Sequence, residues 1–135
     1  GSKRDDFKSN PIAEIRDSLD FLLYDTVQLE GRFQECADGA GAFKLTGAGK
    51  EFVSYLLCLS EPRIFAVWNA NSEKALKKLG IDMRTLSRGP IGIGYIDLLE
   101  GAALVQRRLG MGDFRSVDEF FYWASRPLAP PEFAP

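Results

Sequence analysis

Apolar residues recur at helical spacing along most of the chain. Ile12, Ile15, Leu19, Leu22 and Leu23 mark one face of an amphipathic helix, and Asn10-Pro11 ahead of it pairs a capping side chain with proline at the first helical position. Phe33 and Cys36 continue that face, so the helix is expected to reach about Ala37, with a break near Asp25-Thr26 and a stop at Asp38-Gly39-Ala40-Gly41. Beyond the turn Thr46-Gly47-Ala48-Gly49, Phe52, Val53, Leu56, Leu57 and Leu59 predict a buried helix ending at Pro62. Arg63 to Trp68 is apolar and rich in β-preferring residues but short for a strand. Asn69 or Asn71 can cap a helix running to Leu79 and closed by Gly80. A loop is expected from Arg84 to Gly94, and helical spacing resumes from about Tyr95 to Leu109. Ser116-Val117-Asp118-Glu119 is a capping-box pattern for a last helix to about Ser125, stopped by Arg126-Pro127. The pattern predicts an all-α helical bundle of about five helices.

With 135 residues, 45% of them hydrophobic, the chain suffices for one core. A single helical domain is expected over 10–126. Gly1-Ser2 reads as a tag scar heading a leader over 1–9, and 127–135 as a proline-rich tail or linker, so the chain is expected to be a piece of a longer protein. No apolar run has bilayer-spanning length, which predicts a soluble, cytoplasmic protein with no membrane partner. Cys36 and Cys58, isolated within apolar helical patterns, read as reduced core residues. The chain has no histidine, which excludes Ser-His and Cys-His nucleophile pairs, His-Cys zinc sites and imidazole proton shuttles. No metal or cofactor is expected.

Charge changes this picture because it is unevenly placed. The net charge is −2, yet residues 44–88 carry eight basic and four acidic side chains, whereas residues 1–43 carry five and nine. A local basic face in an acidic protein can bind an anionic polymer.

The segment Thr46-Gly47-Ala48-Gly49-Lys50 lies inside that basic third. Its glycines permit positive φ and close backbone approach, and the following helix presents unpaired N–H groups at its positive dipole end. Such a turn either holds a phosphate or simply closes an interhelical connection. It lacks the spacer and the Ser/Thr of a P-loop. Leu45-Thr46-Gly47-Ala48-Gly49-Lys50-Glu51-Phe52-Val53-Ser54, an apolar helix, a proline-marked connection and then Phe65-Ala66-Val67-Trp68-Asn69 resembles the core of the helix-hairpin-helix DNA glycosylase superfamily. The resemblance spans about Leu45 to Leu79. It implies a hairpin whose backbone N–H groups grip a DNA phosphate, with a catalytic lysine after the hairpin in bifunctional members and a catalytic aspartate at the start of the next helix. Here Glu51 falls at the lysine position, with Lys50 one residue away, Asn69 falls at the aspartate position, and Thr46 replaces the usual proline. Glutamate cannot form a Schiff base, and an amide cannot stabilise a cation as a carboxylate does. The resemblance therefore implies a catalytically degenerate, DNA-binding module, such as the recognition domain of a modification-dependent restriction or phage-defence protein.

The expected nucleic-acid contacts are Thr46, Gly47, Ala48, Gly49 and Lys50 of the turn, Trp68 and Asn69 behind it, Lys74, Lys77 and Lys78 on the next helix, and Arg88, with Arg84 extending the surface. Several of these have structural alternatives: Lys74, Lys77 and Lys78 as a solvated helix face rather than phosphate contacts, Trp68 as core rather than base-pocket lining, and Asn69 as a helix cap rather than a reader of a base edge. Arg107-Arg108 suit a helix C-terminus. Phe120, Phe121, Tyr122 and Trp123 read as core with an exposed edge or as a docking patch for other domains or subunits of the parent protein. The competing functional class is accordingly a protein-interaction domain, using the acidic first helix and the aromatic last one.

Overall fold

The computed structural model describes residues 2–81 and 83–127. These form seven α-helices: α1 (Ser2–Lys8), α2 (Ile12–Tyr24), α3 (Leu29–Ala37), α4 (Lys50–Ser60), α5 (Ala70–Lys78), α6 (Ile91–Leu109) and α7 (Phe114–Ala124), with a 3-10 turn at Arg84–Leu86. No strand occurs among the described residues. The all-α expectation holds, and no helix among them is long and apolar enough to cross a membrane. The tail expected beyond Pro127, together with Gly1, lies outside the described residues.

The break expected near Asp25-Thr26 divides the first helical stretch into α2 and α3. Asp25 Oδ1 accepts the Val27 N–H (3.0 Å), which turns the chain, while Arg32 of α3 reaches back to the Leu22 carbonyl (2.6 Å) and occupies an end carbonyl of α2. Proline 11 is the residue before α2, and the side-chain cap expected from Asn10 is not formed. Asn10 instead accepts the Thr46 N–H (3.1 Å) and donates to the Thr46 carbonyl (3.0 Å), clamping the hairpin turn from 36 residues away. The segment read as a leader is α1, and Phe7 packs on Phe52 of α4 at 4.7 Å between ring centroids.

At the centre of the core, Phe33 of α3 and Tyr95 of α6 stack at 4.1 Å and 6°, with Trp68 alongside at 6.0 Å from Phe33. Tyr95 is fully buried, and its hydroxyl donates to the Ala66 carbonyl (2.7 Å). Arg63 to Trp68 is not a strand. Its buried backbone is bonded by side chains: the Trp68 N–H donates to Ser54 Oγ (2.7 Å), and the Ala66 carbonyl accepts the Tyr95 hydroxyl.

Helix α6 begins at Ile91, inside the stretch expected to be a loop. The loop reading centred on Arg88-Gly89-Pro90 runs too far: Pro90 is the residue before α6, and Gly92 and Gly94 lie within the helix. A β-carbon on Gly92 would lie 2.0 Å from the Glu30 carbonyl oxygen, and one on Gly94 would lie 2.7 Å from the Trp68 ring and 2.8 Å from the Thr85 carbonyl oxygen. The Gly92 N–H also donates to Gln34 Oε1 (2.8 Å), so these glycines let α6 seat directly on α3 and on the tryptophan.

The last helix also starts earlier than its sequence signature suggests. Asp113, not Ser116, is its N-cap, accepting the Ser116 N–H at 3.1 Å. That bond, with the Arg115 guanidinium at 2.9 Å, holds the Asp113 carboxyl below its ordinary range. Cys36 and Cys58 are free and buried, as the sequence reading expects; burial, with the charge of Glu35, pushes the Cys36 thiol up to about 11.

Candidate nucleic-acid interface

The hairpin turn divides into a covered half and an open half. Gly47 takes φ +80°, which favours glycine, and a β-carbon there would lie 2.5 Å from the Lys3 carbonyl oxygen and 2.8 Å from the Phe7 nitrogen of α1. Thr46 is held by Asn10 through both backbone groups, and the Ala48 N–H closes the turn on the Leu45 carbonyl (3.1 Å). Gly47 is thus covered by α1, and Thr46 is held by Asn10 just after it. Gly49, by contrast, is exposed, has ordinary extended backbone and has nothing within 4 Å of a β-carbon position. It precedes α4, whose first turn has no side-chain cap, so the N–H groups of Gly49 and Lys50 face no protein acceptor among the described residues.

Lys50 links this turn to a second feature. Its ammonium lies 3.0 Å from Glu73 Oε1 on α5 and 4.4 Å from the centroid of the Trp68 ring. The same Glu73 oxygen accepts the Trp68 indole N–H at 2.7 Å. Trp68 is 1% exposed, so the base-pocket alternative gives way to the core one: one face of the indole meets aromatics, its N–H is bonded, and the lysine covers it.

Asn69 resolves the same way. Its side chain accepts the Ser72 N–H (2.9 Å), Ser72 Oγ accepts the Asn69 N–H (2.9 Å), and the Asn69 amide donates to Asp118 Oδ1 of α7 (3.3 Å). Both polar ends of the amide are engaged in fixing α5 and α7, and neither is left to read a base edge. Asp118 puts a carboxylate within hydrogen-bond distance of Asn69. Burial raises its pKa, the bond from Asn69 opposes that shift, and the negative charge of Glu51 adds to it.

The basic residues part company. Lys78 donates to the carbonyls of Ser125 (3.2 Å) and Arg126 (3.1 Å), where it caps the end of α7. Lys74 is exposed on α5. Lys77 joins Arg84 and Arg88 around a cleft of about 760 Å³, whose wall includes Glu73 and whose apolar lining includes Ile81, Met83 and Leu86. The 3-10 turn brings the two arginines there, and Thr85 between them anchors to Asp97 of α6. Of the sequence-expected contacts, Lys77 and Arg88 converge directly, Lys50 adjoins them through Glu73, and Gly49 precedes Lys50.

Glu73 is the residue that sequence reasoning missed. The available signal was its place one helical turn before Lys77, which puts an acceptor and a cation on one face of α5. Comparison of the chain with protein-family models, curated proteins and solved structures found no match.

Proposed function

We propose that this domain is a non-enzymatic DNA-binding module with a helix-hairpin-helix, glycosylase-like core, belonging to a larger DNA-processing or defence protein. The observation that carries the reading is the convergence of Lys77, Arg84 and Arg88 on one cleft, joined through Glu73 and Lys50 to the open N–H groups at the start of α4. Three cations around a concavity focus potential where an isolated surface lysine would not. Open N–H groups at a helix start add acceptor-seeking donors for the phosphodiester backbone. The hairpin, α4, the buried connection through Trp68 and the Asn69-capped α5 follow one another in the order that the resemblance requires. Asn69 at the aspartate position, with its amide committed to capping, favours binding over glycosidic chemistry.

The test is fluorescence anisotropy of a labelled duplex titrated at several salt concentrations. Binding should weaken as salt rises, and Lys77→Glu, Arg84→Glu or Arg88→Glu should each weaken it for every sequence, reducing the salt slope by about 1. Salt-independent binding, or none, overturns the reading.

A second reading has an observation of its own. Trp123 is 66% exposed and Tyr122 42% exposed on α7, which suits a contact with another domain or subunit. Under it, Trp123→Ser disrupts assembly of the parent protein and Arg88→Glu does not.

A further inference from the structure

The cleft beside α5 is not built for charge alone. Lys77, Arg84 and Arg88 supply three exposed cations, Met83 and Leu86 a half-buried apolar lining, and Glu73 an acceptor held in place by the Trp68 indole and Lys50. The second oxygen of Glu73 makes no protein hydrogen bond among the described residues. An occupant that satisfies all of these groups carries negative charge, an apolar body and a hydrogen-bond donor.

The end of α2 presents that combination. Tyr24, its last residue, is 76% exposed. Asp17, Asp20 and Tyr24 share one helix face through their spacing of three and four residues, Asp25 follows, and with Phe43 they line an open groove. The ion pairs among the described residues are Lys50 with Glu73 and Arg115 with Asp113, so these three aspartates and the three cleft cations all stay unpaired there. Asp20 and Asp25 also stand near the negative end of the α2 dipole, in a helix whose last turn has no basic residue. That arrangement costs stability unless a cation meets it from outside.

We propose that the cleft receives Tyr24 of a second copy of this chain, with Asp20 and Asp25 of that copy facing Lys77, Arg84 and Arg88. The tyrosine ring packs on Met83 and Leu86, where methionine sulfur favours an aromatic partner, and its hydroxyl donates to Glu73. The exposure of Tyr24 shows that it does not occupy its own cleft, and groove and cleft share no residue. Opposite charges on the two surfaces steer them together and set their register. Because the two surfaces differ, each pairing leaves one cleft and one α2 end free, so association runs head to tail rather than closing on a two-fold axis. The inference goes beyond the DNA-binding reading. It uses the same three cations, so a duplex and a second copy exclude each other at the cleft.

The experiment is sedimentation velocity of the protein without DNA, over a range of concentrations at about 10 mM and about 1 M salt, where screening lengths differ about tenfold. At low salt the wild-type protein should sediment faster as concentration rises, through dimers to larger species, and at high salt it should remain a monomer. Tyr24→Ser and Arg88→Glu, both at exposed positions, should each stay monomeric. Mixed, they should form a one-to-one dimer and nothing larger, because the first keeps an intact cleft and the second an intact Tyr24. That pairing also shows that both variants are folded. Tyr24→Phe removes only the donor and should associate about tenfold more weakly than the wild type. Wild-type protein that is monomeric at every concentration, association unchanged in Tyr24→Ser, or a mixture that does not pair overturns the inference. A monomer that binds a duplex overturns it and spares the DNA-binding reading, whereas association by a protein that binds no duplex upholds it and overturns that reading.

Discussion

The hairpin turn and the cleft beside α5 contain the two most suggestive sets of residues in this chain, and the fold treats them oppositely. At the hairpin, residues with a functional look are largely engaged with the protein itself. Gly47 turns under α1, Thr46 is clamped by Asn10, and Lys50 lies on Trp68 and Glu73. At the cleft, Lys77, Arg84 and Arg88 are exposed around a concavity whose acceptor is held from behind by the core. Groups that satisfy one another stabilise the fold, and groups that converge on empty space are available to a ligand. Lys77 and Lys78 make the same contrast in adjacent residues, one at the cleft and the other on the end carbonyls of α7.

The largest expected effect breaks the contrast on its structural side. Trp68→Ala removes a fully buried ring and leaves Glu73 and Lys50 without their common anchor. It should cost about 3–5 kcal/mol in denaturant unfolding, whereas Arg88→Ala should leave the midpoint within about 0.5 kcal/mol. A silent Trp68→Ala would show that the residue is not part of the core.

Within the hairpin, Gly47→Ala forces a β-carbon against the α1 backbone at positive φ and should destabilise by more than about 1 kcal/mol. Gly49→Ala meets no neighbour but replaces a favoured N-cap residue, so its stability loss should be smaller than that of Gly47→Ala, while DNA affinity falls through the added methyl at the open N–H groups. Equal stability losses at the two glycines would contradict the covered and open halves of the turn.

A smaller effect concerns pH. Because the folded pKa of Asp118 is raised, the native state holds its proton more tightly than the unfolded chain does. The associated stability is present below the unfolded carboxylate pKa of about 3.9 and declines as pH rises through the folded value. Asp118→Asn keeps an acceptor for the Asn69 amide and removes the charge. It should therefore gain stability relative to wild type at neutral pH and lose that advantage in acid. Asp113 runs the other way: its lowered pKa gives stability above the unfolded value that is lost as pH falls through the folded one. Urea titrations of Asp118→Asn and Asp113→Asn across pH should cross in slope.

Local signals were the legible part of this fold. The stop after Ala37, the helix after Gly49, the Asn69 cap and the closure at Gly80 all rest on interactions within a few residues, and each is found where the pattern puts it. The misreadings have distant causes. Asn10 looks like a cap because its local partners favour one, but Thr46 offers both a donor and an acceptor, and the side chain takes those. Gly92 and Gly94 fall within the stretch read as loop, and what seats them in a helix, Glu30 and Trp68 pressing against them, is distant in sequence. The candidate site divides likewise: Lys77 and Arg88 are visible as charges, but only the 3-10 turn anchored by Thr85 to Asp97 brings Arg84 and Arg88 to α5. Nothing in the sequence near Glu73 reveals that Trp68 would hold it.

The most direct test of the cleft is the salt dependence of duplex binding by the wild-type protein, Arg88→Glu and Arg107→Glu. Arg107 is an exposed cation in the last turn of α6, so its reversal changes net charge equally without touching the cleft. The expected result is a steep wild-type slope of log Kd against log salt, lowered by about 1 in Arg88→Glu and unchanged in Arg107→Glu. Equal slopes in all three proteins, or a flat wild-type slope, would contradict binding through the cleft.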